Sequence, residues 1–363
     1  MTERVLIVGT GLIGGSVGLA LRRRGDVHVV GFDTDAANAD RARDVGAVHE
    51  IAADPGLGSQ HADVVVVATP VGEVLGAVDA IARAAPAGTL VTDVGSTKGT
   101  IVAQAETLLG PERPFVGGHP MAGTDGEGVV AARADLFDGA LWILTPTEST
   151  DSSAFRRVNT LVTGLGARTL ALDPDAHDRL VARVSHLPYA LATALMSLVA
   201  DDDDARVFGA AAGSFRDVTR TAGTNPRIWH DILSTNADAV GREIKGMVAK
   251  LETMREALER GDLDTVDALI DSARSARRRL PLKGERTPAD PITVEIHIPD
   301  RTGVLAEVTT ALGEGGINIE DVWMDHTAAG GTLRITVDGR PNTEAAIGLL
   351  SLRRFRATVL EEE

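Results

Sequence analysis

Three segments carry residue types and spacings that could do chemistry together. The first is Gly9-Thr10-Gly11-Leu12-Ile13-Gly14, which directly follows an apolar strand pattern and opens a helical one. In that context Gly9 permits a tight turn, Gly11 lets backbone approach a pyrophosphate, and Gly14 lets helix pack on strand. The N–H groups of Leu12 and Ile13 then stand at the positive end of the helix, facing the phosphates. Asp33 closes the next strand, Val29-Val30-Gly31-Phe32-Asp33. A carboxylate there accepts ribose hydroxyls and repels a 2′-phosphate, which favours NAD over NADP. Thr69, just past the third long strand, joins the cofactor set. The alternatives are a glycine-rich turn with no ligand or an FAD site, and Arg41 or Arg43 leaves NADP open.

The second segment is Asp93-Val94-Gly95-Ser96-Thr97-Lys98 and the third Gly117-Gly118-His119-Pro120-Met121-Ala122-Gly123-Thr124. Each follows a strand pattern, on the edge where open α/β sheets bind ligands. Ser96 offers a hydroxyl and His119 an imidazole able to exchange a proton near neutral pH. A lone histidine is more often structural; His119 gains weight from its loop at the sheet's carboxyl end among small residues. Farther on, Ser185-His186-Leu187-Pro188-Tyr189 and Phe215-Arg216-Asp217-Val218-Thr219-Arg220 put polar groups into apolar surroundings. Taken singly, these two read as a capped helix and a surface ion pair. No metal site is expected.

The elements that must position these residues are legible from periodicity. Short apolar runs at Arg4–Val8, His28–Phe32, Val64–Ala68, Thr89–Thr92, Phe115–Gly117, Leu141–Leu144 and Arg168–Leu172 read as buried strands. Helical stretches such as Ile13–Arg24, Gly72–Ala84 and Thr97–Leu109 alternate with them. That alternation predicts a doubly wound parallel sheet, a Rossmann domain over residues 1–172. From 173 to 282 the pattern is all-helical. His177–Val199 carries Leu180, Val184, Leu187, Leu191, Leu195 and Leu198 at steps of three and four. This domain is expected to bury part of its apolar surface against a second copy, giving a homodimer. Asp201–Asp204 reads as a solvated loop. Pro281, Gly284, Pro288 and Pro291 mark a linker, 283–291. Beyond it, strict alternation over Ile292–Ile298 opens a β-α-β-β-α-β pattern to residue 363, the ferredoxin-like α+β unit.

Composition narrows the function classes. Hydrophobic residues make up 44% and charged residues 24% of 363, an ordinary globular mixture. The formal net charge of −16 argues against a nucleic-acid surface. No apolar run is long enough to cross a bilayer, and no signal-peptide pattern opens the chain. Cysteine is absent, so disulfides and thiolate catalysis are excluded. These features favour the cytoplasm.

In order and spacing, G-x-G-L-I-G-G-S, D-x-G-S-x-K, G-G-H-P-x-A-G-T, S-H-L-P and F-R-D-x-T-R resemble the prephenate/arogenate dehydrogenases over residues 1 to about 280. The tail, Pro299-Asp300-Arg301-Thr302-Gly303-Val304-Leu305 with Gly316-Ile317-Asn318-Ile319, resembles an ACT domain. The resemblance implies NAD-dependent oxidative decarboxylation of prephenate, or of its amino analogue arogenate. It implies His119 as the base for the ring hydroxyl, Ser96 as its hydrogen-bonding partner, and Arg220 as the grip on the side-chain carboxylate. Arg216 is a weaker candidate, and His186, Trp229 and Thr124 line the substrate pocket. Two departures stand out: Tyr189 where many relatives have a second histidine, and Asp125 where several have glutamate. Asp125 is expected to bias the pocket toward the ammonium of arogenate. Gly303, Asn318 and Ile319 are expected beside an amino-acid effector, tyrosine or phenylalanine; a dimerisation module without a ligand is the alternative. Two rival functions are another two-domain dehydrogenase centred on a lysine, for which only Lys245 and Lys250 offer themselves, and a non-enzymatic NAD and amino-acid sensor.

Overall fold

The computed structural model describes residues 2–124, 126–201, 206–279, 291–299, 301, 304–317, 319, 321–327 and 330–360. The chain begins β1 (Glu3–Val8), α1 (Leu12–Arg24), β2 (Val27–Phe32), α2 (Ala36–Asp44), β3 (Glu50–Ile51), α3 (Pro55–Ser59), β4 (Val64–Val67), α4 (Val74–Ala84), β5 (Leu90–Asp93), α5 (Gly99–Leu109) and β6 (Phe115–Pro120). It continues with β7 (Leu141–Thr145), α6 (Ser152–Thr163) and β8 (Arg168–Ala171). These strands form one eight-stranded sheet in the order β3-β2-β1-β4-β5-β6-β7-β8. Successive side chains of a strand point to opposite faces, and both faces here are covered. Val64 and Val66 of β4 enter the core cluster that holds Val17, Leu21 and Leu161, while Val65 and Val67 enter the one that holds Val74, Val78 and Ile81. A four-valine strand is what burial on both faces selects.

The sheet departs from the wholly parallel expectation at β6. Strands β3 to β6 in the sheet order are parallel, but β7 pairs antiparallel with β6, and β8 runs parallel to β7. A parallel return needs a crossover of a dozen or more residues, usually a helix. Between β6 and β7 the only described helical element is the single 3₁₀ turn Val129–Ala131. Pairing with β7 also lengthens β6: Gly118 lies opposite Leu144, His119 opposite Ile143 and Pro120 opposite Trp142. His119 therefore sits on a strand, where the sequence suggested a loop. The two preceding glycines serve packing. A Cβ on Gly117 would lie 2.3 Å from Thr145 Oγ1, and one on Gly118 2.7 Å from the Asp93 carbonyl oxygen.

The helical part comprises α7 (Pro174–Val181), a π-helical turn (Ala182–His186), α8 (Leu187–Ala200), α9 (Arg206–Gly209), α10 (Gly213–Thr219), a 3₁₀ turn (Arg220–Gly223), α11 (Pro226–Thr235), α12 (Ala237–Arg260) and α13 (Leu263–Arg277). The single helix expected over His177–Val199 is interrupted by the π turn. Pro188 has no N–H, and its ring would clash with the carbonyl four residues back; the wider turn before it, in which Leu187 N–H reaches the Ala182 carbonyl, relieves this. Of the apolar stripe, Leu187 is buried, whereas Leu180, Val184 and Leu198 are exposed in the single chain. Of the run Asp201–Asp204 only Asp201 is described, and the linker up to residue 290 lies outside the described residues. No helix among the described residues is long and apolar enough to cross a membrane.

The chain divides into two compact units, Met1–Thr253 and Met254–Glu363. Within the second, β9 (Pro291–Ile298), α14 (Val304–Glu314), β10 (Asp321–Thr327), β11 (Gly330–Asp338), α15 (Arg340–Leu352) and β12 (Arg356–Val359) follow the β-α-β-β-α-β order. The four strands form an antiparallel sheet, β10-β11-β9-β12. Val294, Ile296 and Ile298 of β9 are buried with Val308 and Leu312 of α14 and Leu350 of α15, which realises the alternation read from the sequence.

Two glycine substitutions should move stability in opposite directions. Gly117→Ala forces a methyl into a filled site and should cost about 1–3 kcal/mol. Gly76→Ala, in the exposed first turns of α4 with open space around a Cβ, should stabilise by about 0.5–1 kcal/mol. Denaturant unfolding of the two variants checks the sign of each.

Candidate active site

The glycine turn after β1 has the geometry that a pyrophosphate needs. Gly9 adopts φ +93° and donates its N–H to the Phe32 carbonyl at 2.7 Å, and a Cβ there would lie 2.5 Å from the Ala68 carbonyl oxygen. A Cβ on Gly14 would lie 1.9 Å from the Gly9 carbonyl oxygen, so α1 can pack this closely only without one. At Gly11, by contrast, a Cβ would meet nothing within 4 Å among the described residues. Its backbone borders open space at the start of α1. No described side chain caps that helix, so the N–H groups of Leu12 and Ile13 remain for a ligand. Asp33 braces the turn: its Oδ2 accepts Thr10 N–H (2.8 Å) and the Thr10 hydroxyl (3.1 Å), and Oδ1 accepts Asp35 N–H (3.0 Å). A carboxylate has about four acceptor sites, so capacity for a ribose hydroxyl remains. Thr69 Oγ1 is buried with no hydrogen-bond partner among the described residues. These residues fit a dinucleotide.

The Asp93–Lys98 segment is organised by its own two charged ends. The Lys98 ammonium pairs with Asp93 Oδ2, and both side chains are fully buried. Burial pushes the Lys98 amine below its usual range, while the Asp93 charge opposes that shift. The same carboxylate accepts Gly95 N–H on Oδ2 (2.8 Å) and Gly118 N–H on Oδ1 (3.1 Å). Asp93 thus ties the residue before Ser96 to the residue before His119, joining the loop after β5 to strand β6. Ser96 itself is half-buried.

His119 is buried, and its Nδ1 lies 2.9 Å from His177 Nε2; His177 Nδ1 in turn lies 2.8 Å from Asp178 Oδ1. Burial, then the neighbouring His177, Lys98 and His186, hold the His119 imidazole well below its ordinary value, so it is neutral. Burial pushes the Asp178 carboxyl up, but hydrogen bonds from His177 and from the N–H groups of Gly99 and Lys98 outweigh it and keep the group ionised. Those two backbone bonds, each 2.8 Å, place the carboxylate at the N-terminus of α5, where a negative charge is favoured. Neither His177 nor Asp178 was singled out from the sequence. The available signal was their place on the inward face of an amphipathic helix, one turn before buried Val181.

His186 is buried at the end of the π turn, and burial pushes its imidazole down to about 4. Its Nδ1 lies 3.3 Å from Asn236 Nδ2, and Asn236 donates to the Asp178 carbonyl at 2.8 Å. The ring meets Trp229 edge-on at 6.1 Å; Trp229 stacks on Tyr189 at 3.7 Å and donates its Nε1–H to Thr224 Oγ1 at 2.7 Å. The structure thus gathers His119, His186 and Trp229, with His177, Asp178, Tyr189 and Asn236, into one contiguous polar and aromatic cluster. Arg220 opens the 3₁₀ turn packed against α8, exposed and already engaged. Arg216 donates from Nε to the Ala211 carbonyl at 3.4 Å. Thr124 is exposed, and its hydroxyl accepts Gly126 N–H at 3.2 Å. Asp125, Gly303 and Asn318 lie outside the described residues, and Ile319 packs on the core of the second unit.

Fold and site together define a two-domain dehydrogenase, in which a dinucleotide-binding sheet meets a helical domain at its carboxyl edge. Residues 17–171 match the family described as prephenate dehydrogenase, nucleotide-binding domain, and residues 173–272 match prephenate dehydrogenase, dimerization domain. The chain is 32% identical over 356 residues to prephenate dehydrogenase of Bacillus subtilis (strain 168), covering 96% of each chain. It is 31% identical to cyclohexadienyl dehydrogenase of Zymomonas mobilis, over 77% of this chain and 96% of that one. Among solved structures it resembles prephenate dehydrogenase from A. aeolicus in complex with hydroxyphenyl propionate and NAD+ (TM-score 0.73, 31% identity, 77% of this chain and 98% of that one). The chain belongs to the prephenate dehydrogenase family.

Two measurements test the electrostatics. Lys98→Met leaves Asp93 buried without its counter-charge and should cost about 3–5 kcal/mol in denaturant unfolding; Asp93→Asn in the same chain should restore part of that. His119 and His186 have lowered values in the folded state, so below pH 6.5 the unfolded chain binds protons that the folded chain refuses. Stability is therefore full above 6.5 and falls as pH drops toward about 4 for His186, by up to about 1.4 kcal/mol per pH unit for each ring. Replacing His186 by Gln should flatten the decline in Tm between pH 6.5 and 5.

Proposed function

We propose that the chain catalyses the NAD-dependent oxidative decarboxylation of prephenate to 4-hydroxyphenylpyruvate. The observation that carries this is the neutral, buried His119, linked through Asp93 to the Ser96 loop, on the same sheet edge as a turn fitted to a dinucleotide. His119 takes the proton of the ring hydroxyl, a task for a neutral imidazole in hydrogen-bond reach. Ser96 hydrogen-bonds the same hydroxyl and orients it. Gly9, Gly11, Gly14 and Asp33 would hold NAD, which would supply the acceptor for the hydride on the carbon that carries the hydroxyl. Loss of carbon dioxide then makes the ring aromatic, which renders the overall step effectively irreversible. Arg220 pairs with the side-chain carboxylate, and His186, Trp229 and Thr124 line the pocket. The A. aeolicus relative, solved with NAD+ and an aromatic acid, supports this reading.

Arogenate is the second reading, favoured by one residue: the carboxylate of Asp125 would attract an ammonium on the substrate side chain. The exposed Leu180, Val184 and Leu198 support a homodimer built on the helical domain. For the second unit, the β-α-β-β-α-β order supports an ACT domain that binds tyrosine or phenylalanine as effector.

Steady-state rates with both substrates and both nicotinamide cofactors test the assignment. Prephenate with NAD+ should give the highest kcat/KM; a chain that turns over neither substrate sinks the reading. His119→Asn should lower kcat by about 10²–10⁴. Arg220→Ala should weaken binding by about 2–5 kcal/mol, read mainly in KM. Asp125→Asn should lower kcat/KM for arogenate relative to prephenate, and an unchanged ratio removes that role. Saturating tyrosine should alter activity or Tm; no effect on either favours a dimerisation module without ligand.

A further inference from the structure

His177 and Asp178 have no part in the reaction as proposed above, yet they are the buried polar pair in line with its base. The three groups form a chain: His119 Nδ1 to His177 Nε2 at 2.9 Å, and His177 Nδ1 to Asp178 Oδ1 at 2.8 Å. The imidazole rings meet edge-on, with centroids 5.1 Å apart and planes at 66°. His177 is wholly buried, so it exchanges hydrogen bonds with these partners and not with solvent. A buried imidazole with both nitrogens engaged by a carboxylate and a second imidazole is costly to assemble for packing alone.

The directions of the bonds follow from the far end. Asp178 is fixed by two N–H donors at the start of α5 and can only accept. His177 must therefore carry its proton on Nδ1. In the neutral ring the other nitrogen, Nε2, then has only a lone pair. It must accept from His119, which places the His119 proton on Nδ1 and leaves its Nε2 with the lone pair. The other charged or titratable groups around the chain are Lys98, held by Asp93, and His186.

We propose that His177 and Asp178 are positioning residues that hold His119 in the tautomer whose Nε2 is the base, and receive the charge when the base is protonated. This rests on the assignment of His119 as base. In the step, the hydroxyl O–H bond breaks and a His119 Nε2–H bond forms. The Nδ1–H proton shifts to His177 Nε2, and the resulting imidazolium lies against the Asp178 carboxylate, which stays ionised. Bound NAD+ would supply the acceptor for the hydride; afterwards the proton returns from His177 to His119 Nδ1 and the Nε2 proton is released to water, which restores the base. The arrangement follows the logic by which a carboxylate sets the tautomer of a catalytic histidine elsewhere, lengthened by one imidazole.

The direct test is the ¹⁵N spectrum of the histidine-labelled wild-type enzyme at pH 7.5. His119 should show a protonated Nδ1 and an unprotonated Nε2, and the opposite tautomer overturns the proposal. Kinetics supply the second test. His177→Gln can still accept a hydrogen bond but cannot take up a proton. Its kcat should fall on the order of 10²-fold with KM for substrate and NAD+ little changed, and the acid limb of the kcat profile should move. If His119→Asn is inactive while His177→Gln keeps wild-type kcat and pH profile, the relay is wrong and the base assignment stands. If His119→Asn itself keeps full turnover, the base assignment fails and takes the relay with it.

Discussion

The Asp93 carboxylate is the contact on which the rest of the site depends. It lies at the end of a central strand and is fully buried. It neutralises Lys98, closes the turn at Gly95, and holds Gly118 of the neighbouring strand. Isolated, a buried carboxylate would cost several kcal/mol; paired and hydrogen-bonded on both oxygens, it becomes a rigid junction. A site that moves a proton and a hydride between groups placed to a fraction of an ångström needs such a junction. The glycines around it make close approach possible, since β-carbons at Gly117 and Gly118 would occupy the space of Thr145 and of the Asp93 backbone.

A second layer of the same kind joins the two domains of the first unit. Asp178, from the first helix after the sheet, caps the helix that follows the Asp93–Lys98 segment, while Thr97 meets Thr235 at 3.0 Å and Gly72 N–H meets Asp231 at 3.2 Å. Helical-domain residues thus reach the carboxyl edge of the sheet at several points, where open α/β folds bind their ligands. The low basicity of His119 and His186 is a consequence of this closure. Water is excluded and the charged form is disfavoured, at a cost in stability toward acid. In a chain carrying −16 overall, neutral imidazoles and backbone N–H groups at the site avoid adding to the negative field that an anionic substrate and dinucleotide must enter.

The helical stripe that remains exposed in one chain marks the limit of what a single copy buries. Leu180, Val184 and Leu198 recur at helical spacing yet lie outward, because the inward face of that helix is given to His177, Asp178, Val181 and His186. Buried polar side chains take the face that apolar packing would otherwise use, and apolar side chains are left for another surface.

Much of this could be read from the sequence, and the boundary has a physical cause. The glycine turn, Asp33, the strand order of helices and strands, and the alternating strand of the second unit are local patterns, set by periods of 2.0 and 3.6 and by the steric needs of glycine. His119 and Ser96 stood out as residue types able to exchange a proton for the same reason: each lies in a short motif beside a strand end. What the tertiary structure decided are relations between distant segments. The reversal of β7 and the placing of His119 on a strand depend on partners 22 to 28 residues away along the chain, the contact of His186 with Asn236 on one 50 away, and the pairing of His177 with His119 on one 58 away. No local period encodes which polar side chain on a helix face will meet which residue of a strand. That choice is made when the helical domain folds onto the sheet, and desolvation there makes each such meeting matter.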